Sequence, residues 1–155
     1  MKTLIVYDSI YGNTEKIARA IAGAIAGEVK VVKITEANPH ELDYYEMLIV
    51  GSPTHGGRPT PAVKEFIAKL PPDALKGKPA AAFDTGISSK GKGVGIKLLT
   101  GMLGYAAGRI GEALKARGAR LIVPPEGFIV IGNEGPLKEG ELERATGWGK
   151  AIAKA

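Results

Sequence analysis

Apolar residues recur along this chain in two alternating rhythms. Short runs at Leu4-Ile5-Val6, Met47 to Val50 and Pro79 to Phe83 have the length and polar boundaries of buried strands. Val29, Val31, Val32 and Ile34 add a strand enriched in β-branched residues. Leu121-Ile122-Val123 and Phe128-Ile129-Val130-Ile131 read as a fifth strand interrupted by Pro124-Pro125-Glu126-Gly127. Between these runs the spacing becomes helical. Ile17, Ala18, Ile21, Ala22 and Ile25 form one such stripe, and Val63, Phe66, Ile67 and Leu70 form a second. Leu99, Met102, Leu103, Ala106, Ile110, Ala113 and Leu114 form a third. A final helix from about Lys138 to Lys154 carries Leu142, Ala145, Trp148 and Ile152 on one side.

Alternating strands and helices predict a doubly wound α/β domain, a parallel five-stranded sheet with helices on both faces in three αβα layers. The strand order 2-1-3-4-5 is the economical one, because it brings the loops after strands one and three together at a switch point. A chain of 155 residues has room for one core, so residues 1–155 are expected to form a single domain.

The loops at the carboxyl ends of the strands carry the chemistry. After the first strand come Ser9, Ile10, Tyr11, Gly12, Asn13 and Thr14, leading into the first helix. Hydroxyls, an amide, a glycine and the positive end of a helix dipole converge there, which suits a phosphate. The loop has no lysine, so neutral donors would hold the anion. The plainer reading is a strand–turn–helix junction with Ser9 or Asn13 as a cap. After the third strand comes Gly51-Ser52-Pro53-Thr54-His55-Gly56-Gly57-Arg58-Pro59-Thr60-Pro61, again strand, loop and helix.

Ser9-x-x-Gly12-Asn13-Thr14-Glu15 after an N-terminal strand resembles the FMN-phosphate loop of the flavodoxin family, with Ile10 and Tyr11 in place of common hydroxyl residues. Gly-Ser-Pro-Thr-x-Gly at 51–56 resembles the flavodoxin loop beside the isoalloxazine. The resemblance implies that Pro53 and Thr54 lie along the ring and that His55 replaces a stacking aromatic. It implies that the Gly56-Gly57 peptide turns its carbonyl toward flavin N5 on reduction, a movement that a Cβ would penalise. The loop after strand four would cover the pyrimidine and outer flavin face, through Asp84, Thr85, Gly86 and Ser88. Lys90 stands where an aromatic is expected, and losing a ring–ring stack forgoes roughly 0.5–1.5 kcal/mol. Gly86-x-x-x-x-Gly91-Lys92 also nearly spells a nucleotide P-loop. Gly93, however, occupies the position of the magnesium-binding hydroxyl residue, and no strand ends in the acidic residue such a site needs.

Composition narrows the function. Without cysteine there is no disulfide framework, thiolate chemistry or cysteine-based metal site, and His40 and His55 are too few and too distant for a metal cluster. His40 follows the Asn38-Pro39 cap pair and reads as a surface residue. No apolar run reaches the eighteen or so residues needed to span a bilayer, and the first residues turn polar too soon for a signal peptide. No membrane insertion and a cytoplasmic setting are therefore expected. The 21 Lys and Arg exceed the 16 Asp and Glu, for a net charge of +5, whereas flavodoxins are typically acidic. The cations are dispersed and no aromatic residues interleave with them, so nucleic acid is not the expected partner. Arg58, Lys90 and Lys92 beside the loops point instead to redox protein partners with an acidic surface.

No Ser/His/Asp set, carboxylate pair or activated nucleophile emerges. The resemblance implies an FMN-dependent electron carrier, a flavodoxin passing electrons between redox partners without enzymatic turnover of its own. The alternative is an FMN-dependent quinone or NAD(P)H reductase. A CheY-like module on the same fold is disfavoured, because Gly51-Ser52-Pro53 ends the third strand where a phosphoacceptor aspartate would stand. Gly101, Gly104, Gly108 and Gly111 recur on one side of the third helical segment. They fit either a groove for a second copy in a homodimer or an irregular extension of the flavin loop over residues 94–108.

Overall fold

The computed structural model describes residues 1–87 and 105–155. Six strands form one parallel sheet: β1 Lys2–Tyr7, β2 Glu28–Lys33, β3 Met47–Pro53, β4 Pro79–Ile87, β5 Arg120–Leu121 and β6 Glu126–Val130. The order is β2-β1-β3-β4-β5, with β6 also pairing β4. β5 pairs with the start of β4 (Pro79↔Arg120) and β6 with its end (Phe83↔Glu126 to Ile87↔Val130). The two are one edge strand with a break, as the sequence pattern predicts. The break falls earlier than expected, so that Glu126 and Gly127 belong to β6. Pro124 and Pro125 lack the N–H groups a ladder needs, and pairing resumes as soon as they are passed.

Helices α1 Asn13–Gly23 and α4 Glu141–Lys154 cover one face, and α2 Pro61–Ala68 and α3 Ala106–Ala116 cover the other. Side chains alternate along the strands to feed two cores. Leu4, Val6, Leu48 and Val50 meet Val63, Phe66, Ile110 and Leu114. Ile5, Tyr7, Ile49 and Phe83 meet Ile17, Ile21, Phe128 and Ile152. Two 3₁₀ turns at Ile34–Glu36 and Pro39–Tyr44 link β2 to β3. Asn38 Oδ1 accepts the His40 N–H at 2.9 Å, so the capping role read for Asn38-Pro39 holds. No described helix is long and apolar enough to cross a membrane.

Two elements differ from the sequence pattern. β4 runs on through Ile87, so Asp84, Thr85 and Gly86 are strand rather than loop, held between Ser52–Pro53 of β3 and Gly127–Ile129 of β6. α4 begins only at Glu141, because Val130 and Leu137 form an antiparallel bridge and the Lys138 N–H is bonded to Ile129 O at 2.8 Å. Leu142 is then left 44% exposed instead of facing the sheet. In α3, Ala106, Ile110 and Leu114 are buried as the spacing predicts. Gly108 and Gly111 are buried too, and a Cβ on Gly111 would lie 3.0 Å from Pro125 and 3.1 Å from Leu121. At Gly111 the close approach that compensates for a helical glycine comes from within the chain. Gly101, Gly104, Leu99, Met102 and Leu103 lie outside the described residues, as do Ser88, Lys90 and Lys92.

The layer of α1 against α4 rests on a similar close contact. A Cβ on Gly149 would sit 2.8 Å from the Ile21 carbonyl oxygen and 2.9 Å from Ala24 Cβ, whereas one on Gly147 would meet nothing within 4 Å. Alanine is favoured over glycine in a helix by about 1 kcal/mol. Gly147→Ala should therefore raise stability in urea unfolding by up to that amount. Gly149→Ala should lower it by roughly 1–3 kcal/mol through overpacking, despite the same gain in propensity.

Candidate functional site

β1, β3 and β4 end side by side, and the loops after β1 and β3, together with the ends of β4 and β6, bound one cleft of about 280 Å3. Its first wall is the turn between β1 and α1. Asp8 organises that turn: its carboxylate accepts the Ser9 N–H at 2.9 Å and the Thr60 hydroxyl at 2.5 Å, while Ser9 Oγ accepts the Gly12 N–H at 2.9 Å. Gly12, at φ +90°, makes the left-handed step into the helix, a conformation that side chains penalise. The N–H groups of Ile10, Tyr11, Asn13 and Thr14 have no acceptor among the described residues. They stand at the positive end of α1, so the loop is a set of unfilled donors in a favourable field. Asn13 is anchored by Nδ2 donating to Glu134 O at 3.1 Å. The Thr14 and Thr85 hydroxyls, both buried, lie 2.8 Å apart. One proton serves that mutual bond, leaving the other hydroxyl proton of the pair for a further acceptor.

The second wall is the loop after β3. Thr54 N–H donates to Thr85 O at 2.8 Å, continuing the strand pairing to the cleft. His55 and Arg58 then exchange N–H···O bonds of 2.9 and 3.1 Å around Gly56 and Gly57. Both glycines have positive φ, 57° and 77°, as a tight primed turn requires. Arg109 on α3 holds this turn from outside, with Nε donating to Gly57 O at 2.9 Å.

A family model described as a flavodoxin domain matches residues 4–102. The chain belongs to the flavodoxin family. It is 33% identical to a flavodoxin of Clostridium saccharobutylicum over 120 residues, covering 70% of this chain and 74% of that relative. It is 30% identical to an NAD(P)H dehydrogenase (quinone) of Archaeoglobus fulgidus, covering 99% of this chain and 96% of the relative. The solved structure of oxidised Flavodoxin 2 from Bacillus cereus superposes with a TM-score of 0.76 at 26% identity, covering 99% of both chains.

In this flavodoxin-family cleft, Ser9, Ile10, Tyr11, Asn13, Thr14, Pro53, Thr54, His55, Thr85 and Gly86 form the lining. Gly12, Gly56 and Gly57 shape the loops without lining it, and Ser88 lies outside the described residues. Ile87, Val130 and Asn133 also line it, although the sequence pattern did not single them out. A readable signal exists for the last two: Val130 ends β6 and Asn133 follows it, at the same carboxyl edge.

Asp84 does not reach the cleft. Only 2% exposed, it lies beneath Thr54 and Thr85 and accepts the Ala107 N–H at 2.9 Å, while the Ala106 N–H donates to Thr54 Oγ1 at 3.2 Å. Gly127 makes room for it, since a Cβ there would come within 3.1 Å of Oδ1. Burial pushes the Asp84 carboxyl up to about 6, against hydrogen bonds from the Ala107 N–H and the Thr54 hydroxyl; Glu126 adds like charge.

That elevation has a pH signature. With the folded pKa above the unfolded value near 3.9, the native state binds the extra proton between about pH 4 and 6. Asp84 therefore contributes stability that is fully present below about pH 4 and lost as pH rises through about 6. The difference in unfolding free energy between the wild type and Asp84→Asn should fall by on the order of 3 kcal/mol from pH 4 to 7. Urea titrations of both proteins at each pH measure it, and a constant difference would contradict the assignment.

Proposed function

We propose that this chain binds one FMN non-covalently in the cleft and carries electrons between redox protein partners. The observation that carries the reading is the set of unfilled N–H donors at Ile10, Tyr11, Asn13 and Thr14, beside the buried Thr14–Thr85 hydroxyl pair. Such a set suits a phosphate group held without counter-charge. FMN, when bound, supplies the electron chemistry. Ser9 to Thr14 would bind its phosphate, Pro53 to Gly57 would border the ring, and Thr85 and Gly86 would form the cleft floor. Arg58, exposed next to the His55 turn, gives the mouth a positive charge that favours a partner with an acidic surface.

A second reading has specific support. The Archaeoglobus fulgidus relative named as an NAD(P)H dehydrogenase (quinone) spans almost the whole chain. Ile10, Tyr11 and Ile87, each more than half exposed, also give the cleft an apolar mouth. Quinone-dependent NAD(P)H oxidation by the FMN-loaded protein would favour the reductase, and its absence the carrier.

The purified protein should show the yellow absorption of a flavin or acquire it on titration with FMN. Thr14→Ala should weaken FMN about 10- to 100-fold, because a hydrogen bond to a charged group is worth about 1.5–3 kcal/mol. Riboflavin, which lacks the phosphate, should be weakened far less. Equal loss for both ligands would remove the phosphate assignment.

A further inference from the structure

Asp84 is a buried carboxyl that electron transfer by itself does not require. It adjoins the cleft through the start of α3, where the Ala107 N–H bonds the Asp84 carboxylate and the preceding Ala106 N–H bonds Thr54 Oγ1, a residue that lines the cleft. The groups around it come from every neighbouring element. α3 presents the Ala106 and Ala107 N–H groups, the loop after β3 presents Thr54, and β6 presents Gly127 and Glu126. Glu126 is bridged at 3.2 Å to Arg144 of α4, which also pairs with Glu141 at 2.8 Å. Among the described residues no lysine, arginine or histidine pairs with Asp84.

We propose that Asp84 takes up a proton when the cofactor in the adjoining cleft accepts an electron. The proposal rests on the FMN reading. The electron comes from a one-electron redox donor and the proton from solvent; an O–H bond forms at the Asp84 carboxylate, so the site gains no net charge. Reoxidation passes the electron to the acceptor and returns the proton to water. When negative charge arrives in the cleft, the buried carboxylate thus loses the charge that would repel it.

The test compares the FMN-loaded wild type and Asp84→Asn, which keeps the acceptor oxygen and removes the titration. The wild-type midpoint potential should fall as pH rises above about 6, by up to about 59 mV for each tenfold change in protons per electron. Asp84→Asn should lose that component while retaining any slope due to the cofactor itself. Coincident profiles with FMN bound would overturn the proton coupling and leave the FMN reading intact. Failure to bind FMN would overturn both. Should the variant not fold, the wild type suffices. In protein labelled with 13C-aspartate, reduction at pH 7 should produce the infrared carbonyl band of a protonated carboxyl, and its absence overturns the proposal. In the apoprotein the Asp84 carboxyl carbon should titrate near pH 6 by NMR; titration near 4 also overturns it.

Discussion

The site exists because adjacent parallel strands β1 and β3 send their chains to opposite faces of the sheet. Their pairing runs to Tyr7↔Gly51 and is extended by the Asp8 N–H donating to Gly51 O at 3.0 Å. Beyond that point α1 packs on one face and α2 on the other, so the two loops part and leave a crevice. Asp8 braces the opening from below by linking the Ser9 N–H of one loop to the Thr60 hydroxyl of the other. The donors at Ile10, Tyr11, Asn13 and Thr14 stay unfilled because strand pairing ends just before them. The binding chemistry is therefore a consequence of strand order, and an apolar core on both faces holds that order in place.

Much of this was legible in the chain. Strands β1 and β3 are uninterrupted apolar runs, as strands buried on both faces must be, and each is followed by turn residues and a helical period. The end of β4 was hidden for a physical reason. Asp84, Thr85 and Gly86 look like loop residues because they are polar or small, yet Asp84 and Thr85 pair on both sides and Gly86 pairs with Ile129. The β6 partner lies beyond the Pro124-Pro125 break, which no local period reveals. Their polarity serves the cleft and the α3 terminus, so a functional requirement overrode the usual strand composition. Ile87 was obscured by the same misassignment. The late start of α4 was equally non-local, since Leu137 and Lys138 are drawn into pairing with β6.

The excess of positive charge also has a partly structural origin. Lys78 Nζ donates to Leu42 O at 2.5 Å and Tyr45 O at 2.8 Å, closing the end of the second 3₁₀ turn, and burial lowers its pKa. Arg117 donates to Ala68 O at 2.6 Å and Leu70 O at 2.7 Å, satisfying carbonyls at the end of α2. Arg109 donates to Gly57 O in the turn after β3. Cations bonded to carbonyls neutralise no carboxylate, so they add to net charge while serving as caps.

The most direct measurement is an amide NMR titration of the 15N-labelled apoprotein with FMN. The N–H groups of Ile10, Tyr11, Asn13 and Thr14 should show the largest shifts, with Thr54, His55 and Gly86 following. Gly27 and Arg120, at the opposite edge of the sheet, should remain unmoved. Shifts confined to that opposite edge, or none at millimolar FMN, would contradict the account.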